Sequence, residues 1–264
     1  VFVEQQITYM DTEQRQYQNT RKRSTKKESR RKQNNAVNDT TSSQNFNIKL
    51  EAVYPKTENQ KRVFKEYDKG NHILQHGSAG CGKTFLSLYL SFQDILSKDS
   101  QHSKVIIVRS IVPSREPGHL PGDMKQKAAV YEAPYYGICS ELFGRGDAYD
   151  LLKRKGLIEF TTTSFLRGTT YRDCILIVDE FQNLASHEMN TLMTRVGENC
   201  RVIICGDYKQ TDFTKDVDKK SAHDLIRIVK RMPQFSTIEF TRDDIVRSAF
   251  VKNFIIAKEE LNIV

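Results

Sequence analysis

The chain has 264 residues, 28% of them charged and 38% hydrophobic, and a formal net charge of +8. No apolar run reaches the ~18 residues that cross a bilayer and no leader peptide is evident, which excludes a membrane-spanning reading and leaves a cytoplasmic protein as the expectation. Five cysteines, an odd number with no CxxC pair, argue against a disulfide framework or a zinc site.

The positive charge is concentrated. The run "RKRSTKKESRRK", Arg21 to Lys32, holds eight Lys or Arg against one Glu, so it accounts for nearly all of the excess. From Thr12 to Asn45 only Tyr17, Ala36 and Val37 are apolar. Such a segment buries too little surface to offset its ordering entropy. Residues 1–48 therefore read as a disordered basic tail and 49–264 as the folded domain. A cationic arm suits the phosphate backbone of RNA or single-stranded DNA through counterion release. It equally suits a solvated tail without a partner.

The folded part begins with a helix over Glu58–Lys69. Its opening "TENQ" has two readings. Thr57 and Gln60 have the spacing of a capping box, and the Gln60 amide also matches the N6/N7 edge of adenine. Next comes a strand, "HILQHG" (His72–Gly77), running into "GSAGCGKTF" and a helix over Lys83–Ser97. This is GxxxxGK[ST] between a strand and a helix, the phosphate-cradling loop. Gly77, Ser78, Ala79, Gly80, Cys81, Gly82, Lys83, Thr84 and Phe85 are the expected phosphate contacts, with Lys83 on the terminal phosphates and Thr84 on Mg²⁺. Cys81, at a helix N-terminus, is either a reactive thiol or a small residue that fills the loop.

Strands over "KVIIVRS" (Lys104–Ser110) and "LIEFTT" (Leu157–Thr162) flank a helix at Met124–Phe143. "CILIVDE" (Cys174–Glu180) is four apolar residues and then two carboxylates at a strand end. Asp179 suits the Mg²⁺ shell and Glu180 the activation of water. A helix over His187–Val196 follows, then a strand at "RVIICGD" (Arg201–Asp207), whose continuation "YKQTD" brings Asp207 and Gln210 to the same sheet end. Gln210 reads as a sensor of the γ-phosphate or as part of a polar turn. A helix at Ser221–Met232, a strand at Ser236–Thr241 and a helix at Ile245–Leu261 close the chain. Alternation of this kind predicts an α/β fold, a mostly parallel sheet with helices on both faces.

In order, "NQ", "GSAGCGKT", "VRS…PGHLPGD", "FLRGTTYRDCILIVDEFQN", "TRVG", "GDYKQTD" and "DDIVRS" resemble the PhoH family of P-loop ATPases, over roughly Tyr54 to Ala257. The resemblance implies a single RecA-like domain, similar to the first such domain of superfamily-one helicases, using ATP and Mg²⁺. It makes Gln60 the adenine-reading glutamine and Gln210 the γ-phosphate sensor. It also implies that an arginine closes the site. Arg247 in "TRDDIVRS" and Arg195 in "TRVG" are the two candidates, each of which also reads as a helix-surface ion pair. A single domain of this kind implies a homo-oligomer, a hexamer by analogy, in which a neighbour lends that arginine. Some relatives are bacteriophage-encoded, so the compartment is a bacterial or phage-infected cytoplasm. The chain departs from the family at Ser110, where a proline is usual, at His119 in "HLPG", at Thr169 in "RGTT", and at Phe181 in "DEFQN". All of these lie outside the phosphate loop.

Three functions fit these residues: an ATPase that remodels RNA or single-stranded DNA, a nucleoside or small-molecule kinase, and an ATP-gated nucleic-acid-binding module.

Overall fold

Each of the six apolar runs becomes a strand, and the six strands form one sheet. The computed structural model describes residues 48–110, 124–165, 168, 170–208 and 216–261, and from Ile48 on these form one compact unit. In chain order they build α1 (Glu58–Asp68), β1 (His72–Gly77), α2 (Lys83–Ile95), β2 (Lys104–Arg109), α3 (Met124–Phe143), α4 (Ala148–Arg154), β3 (Ile158–Thr162), β4 (Cys174–Asp179), α5 (Ser186–Met193), β5 (Cys200–Gly206), α6 (Asp216–Val229), β6 (Phe235–Phe240) and α7 (Ala249–Glu260). Strand order is β3-β2-β4-β5-β1-β6 and every pairing is parallel.

The strand sequences follow from this order. Central β4 is buried at every position, and β1 and β5 at all but one each. Covered on both faces, these strands need no polar alternation. The edge strands β3 and β6 instead carry exposed Glu159 and Glu239, charges that discourage pairing with another sheet. Alternate residues divide the core. Ile73, Ile107, Ile177 and Ile203 pack with Val63, Leu88, Phe92, Tyr135 and Leu152 from α1 to α4. Leu74, Val108, Leu176 and Ile204 pack with Leu192, Leu225 and Val229 from α5 and α6. Full burial of each such side chain contributes ~1.5–3 kcal/mol.

Register then lines up the strand ends. Arg109 is opposite Asp179, Asp179 opposite Cys205, His76 opposite Gly206, and Gly77 opposite Phe240. The sequence-predicted loops after β1, β4 and β5 therefore leave the sheet side by side.

The structure differs most from expectation at three helices, of which α6 runs Asp216–Val229 in place of Ser221–Met232. α4 was not expected, because seven residues are too few to show a helical period, although Tyr149, Leu151 and Leu152 are buried. The final helix starts at Ala249, not Ile245. Asp244 accepts from Thr241 N and from Asn59 Nδ2, which holds Arg242–Asp244 in a short 3₁₀ turn, and Ser248 caps the helix by accepting from Val251 N. None of the described helices is long and apolar enough to cross a membrane. The basic run Arg21–Lys32 lies outside the described residues.

Candidate functional site

β1 ends at Gly77 because no side chain fits there. Its φ is +115°, and a Cβ would stand 2.0 Å from the Phe240 carbonyl oxygen of β6. The chain turns through Gly80 and Gly82, both with positive φ, and Gly82 opens α2. Lys83 Nζ donates to the carbonyls of Gly77 (2.8 Å) and Ser78 (2.7 Å), which keeps the ammonium folded over the loop. The C-terminal segment braces the loop from outside. Val246 N donates to Gly80 O (3.1 Å), and Ser78 Oγ donates to Glu259 of α7 (2.9 Å). Ala79 to Leu86 line a cleft of about 1120 Å³ together with Gln60, Arg109, Tyr135, Asp179, Glu180, Asp207 and Arg247.

Two adjacent carboxylates at the end of β4 have unlike surroundings. Asp179 is almost wholly buried. Its Oδ1 accepts from Thr84 Oγ1 (2.9 Å) and Cys205 Sγ (3.2 Å), and its Oδ2 accepts from Tyr135 Oη (2.7 Å). Burial, and then the Asp179 charge, raise the Tyr135 pKa well above the phenol range, so the phenol stays a donor. Glu180 takes a left-handed backbone conformation, φ 51°. Burial and then the Asp179 charge raise its pKa, the direction that suits a proton acceptor working near neutral pH. Gln182 Nε2 donates to Glu180 Oε2 (2.5 Å), while Gln182 Oε1 accepts from Asp207 N (3.1 Å). One glutamine thus ties the loop after β4 to the loop after β5. Arg109 completes the group. Burial opposes its charge, but Tyr135, Asp179 and Glu180 more than compensate and raise its pKa.

Tyr135, Arg109 and Gln182 were not singled out in the sequence. Two of them left a signal there, Gln182 two residues after Glu180 in "DEFQN" and Arg109 in "VRS".

Gln60 lines the cleft, but its amide is already engaged. Its Oε1 accepts from Lys56 N (2.7 Å) and its Nε2 donates to Cys81 O (3.0 Å). Thr57 caps α1 by accepting from Gln60 N, so only half of the capping box forms, with Gln60 reaching Lys56 instead of Thr57.

The reactive reading of Cys81 is overturned. Its side chain is fully buried, Sγ points at the carbonyls of Ala79 and Thr241 (3.7 Å each), and burial pushes its pKa up to about 11. At neutral pH it is a thiol, not a thiolate. Iodoacetamide at pH 7 should therefore modify Cys81 far more slowly than a small free thiol, as peptide mass mapping would show. Labelling at the free-thiol rate would contradict this burial.

The arginines separate. Arg247 lines the cleft, its Cγ lying over Gly80, and no carboxylate among the described residues pairs with it. Arg195 lies elsewhere. Its carbonyl accepts from Tyr171 N just before β4 begins, whereas the phosphate loop is at the opposite, C-terminal ends of the strands. Asp207 is buried beside Gln182 in the cleft, and Gln210 lies outside the described residues.

Residues 52–259 match the family profile of the PhoH-like protein. The chain belongs to the PhoH-like family. The PhoH-like protein of Bacillus subtilis (strain 168) is 31% identical over 217 residues, covering 82% of this chain and 67% of that protein. Protein PhoH of Escherichia coli (strain K12) is 30% identical over 199 residues, covering 75% of this chain and 55% of that protein. This PhoH-like chain thus spans between about half and two thirds of the length of these relatives. Among solved structures, the large terminase from a thermophilic bacteriophage overlaps 76% of this chain and 50% of its own, at 13% identity and TM-score 0.43. The domain is a RecA-like P-loop NTPase core.

The donor set fits a magnesium nucleotide. Left-handed glycines at Gly77, Gly80 and Gly82 leave the loop backbone bare, and Lys83 carries a charge above it. Thr84 and Asp179 form a hydroxyl–carboxylate pair, a hard oxygen set that suits Mg²⁺.

Proposed function

We propose that this chain binds ATP with Mg²⁺ in the cleft, hydrolyses it, and couples hydrolysis to binding or remodelling of RNA or single-stranded DNA. The observation that carries the hydrolytic part is the contrast between Asp179 and Glu180. The first accepts three donors, Thr84, Tyr135 and Cys205. The second has its pKa raised by burial and by that neighbour. Two adjacent carboxylates with such different surroundings suit different roles.

Lys83 exchanges the Gly77 and Ser78 carbonyls for phosphate oxygens. The backbone amides of the loop and the N-terminus of α2 add partial positive charge. Thr84 and Asp179 would hold the metal, which would offset phosphate charge there. Glu180 takes the proton of the attacking water on Oε1, and Gln182 keeps the carboxylate oriented by donating to Oε2. Because Gln182 also receives Asp207 N, a shift of the loop after β5 moves the base as well. This link supports coupling between the nucleotide and whatever binds near that loop.

The basic run Arg21–Lys32 supports an anionic polymer as the partner. Phosphate release is measured alone, with poly(U) and with an oligo-dT. Release that rises with either polymer is expected. Basal release that ignores both would remove the coupling, and phosphate transfer to an added nucleoside would make the chain a kinase. Deleting residues 1–45 should weaken polymer binding and lower its salt slope by several units, at ~0.7–0.9 for each phosphate no longer neutralised. An unchanged slope makes the tail a bystander.

A further inference from the structure

One of the groups that hold Asp179 comes from outside every nucleotide motif. An ionised carboxylate offers about four lone-pair directions. Thr84 Oγ1 and Cys205 Sγ use the two on Oδ1, and Tyr135 Oη uses one on Oδ2. Among the described residues' bonds one direction remains, on Oδ2. Tyr135 arrives from the middle of α3, directly after Pro134, with its ring fully buried against Phe160 (centroids 5.7 Å apart). Phe160 is on edge strand β3, two strands away from Asp179. The phenol is thus held by the α3–β3 side of the fold while its hydroxyl acts on the nucleotide side.

A buried phenol needs an acceptor, and Asp179 answers that need whatever else the bond does. The choice of acceptor is the informative part. A hydrogen bond to a charged group is about twice as strong as one between neutral groups, and this one stops the carboxylate from turning about its last torsion. Partners that fix a metal-binding carboxylate in this way typically change metal affinity ~10–100-fold when removed.

We propose that Tyr135 is a positioning residue for the metal carboxylate: its hydroxyl fixes Asp179 so that one lone pair of Oδ2 is left for the metal's shell, and α3 thereby sets how tightly Mg²⁺ is held with the nucleotide. The inference rests on the nucleotide reading above. It makes α3 an element through which events on the β2–β3 side of the sheet reach the nucleotide site.

The test uses a fluorescent, non-hydrolysable ATP analogue titrated with MgCl₂ at equilibrium, so no turnover is needed. In Tyr135→Phe the Mg²⁺ concentration for half-saturation should rise about tenfold, while binding of the analogue in EDTA stays at the wild-type value. Cys205→Ala removes the weaker thiol donor from the other oxygen and should give a smaller shift. Thermal unfolding is followed in parallel. Equal Mg²⁺ dependence in folded Tyr135→Phe and wild type overturns the proposal. Should Tyr135→Phe not fold, Phe160→Leu loosens the ring packing and keeps the hydroxyl; half-saturation must then rise in that variant, and an unchanged value overturns the proposal equally. A wild-type protein that binds the analogue no better with Mg²⁺ than with EDTA would remove the nucleotide reading, and the inference falls with it.

Discussion

Glu180→Gln should leave nucleotide binding intact and lower kcat by ~10²-fold or more, the usual scale for a positioned proton acceptor. The substitution keeps the size of the side chain and its contact with Gln182, and removes only the basic oxygen. Burial already raises the Glu180 pKa and Asp179 adds to it, so the carboxylate is poised to take a proton, and the amide has no such capacity. Lys83→Ala should give the opposite pattern. Its ammonium sits at the mouth of α2, folded over Gly77 and Ser78, and its loss should weaken nucleotide binding before chemistry begins. Equilibrium binding of a fluorescent nucleotide and single-turnover hydrolysis separate the two effects. If Glu180→Gln hydrolyses ATP at the normal rate, the base lies elsewhere.

Arg247→Ala should lower kcat by ~10³-fold or more, within the range seen when an arginine that stabilises phosphoryl transfer is removed. Arg247 lies over Gly80 in its own chain's cleft without a carboxylate partner among the described residues, so its charge is free to face phosphate. On this placement we expect Arg247 to act within its own chain, in place of the neighbour-lent arginine expected from the sequence. Mixing inactive Glu180→Gln protein with inactive Arg247→Ala protein should not restore turnover, since no site then has both groups. Arg195 is the reverse case. It sits toward the start of β4, away from the cleft, so any role at a nucleotide would have to be played in a neighbouring copy. If copies assemble as expected of the family, Glu180→Gln mixed with Arg195→Ala should recover activity at interfaces that join an intact Glu180 to an intact Arg195. Recovery in the Arg247 mixture would mean that Arg247 acts across subunits. Full activity of Arg195→Ala alone would remove Arg195 from the mechanism.

The legible parts of this fold were those written in short-range sequence. His72–Gly77 was read as a strand with the observed ends, because a short segment around Ile73 and Leu74 leads straight into the glycine that the loop requires. The 20-residue α3 was also read with its observed ends. α4 was invisible for its brevity. The start of α7 was misplaced because Ile245 and Val246 look like helix residues, while the 3₁₀ turn before them and the Ser248 cap decide the matter. Within the site, the phosphate loop, Asp179, Glu180 and Asp207 were legible because each follows a strand, and parallel strands bring such loops together. Tyr135 was not. It meets Asp179 across 44 residues of chain, and nothing around "APYYG" distinguishes a tyrosine that holds a carboxylate from one that fills a core. Gln60 shows the opposite limit. Its position in the cleft was legible, but its attachments to Lys56 and Cys81 depend on how the loop lies over α1.

All five cysteines are buried, and this makes the native protein a convenient host for optical probes. Thiol-directed dyes react with what solvent can reach, so two added cysteines on opposite faces of the sheet would be the fast-reacting pair. Val130→Cys on α3 and Ile228→Cys on α6 meet that need, since both native side chains are largely exposed. Energy transfer between dyes at these points would follow the distance between the two helical layers while nucleotide is bound and turned over. The common first step in such labelling, exchanging every native cysteine for serine, is best avoided here. Cys205 donates its thiol to Asp179, and the Cys81 side chain is buried within the phosphate loop, so a cysteine-free background would start from an altered nucleotide site.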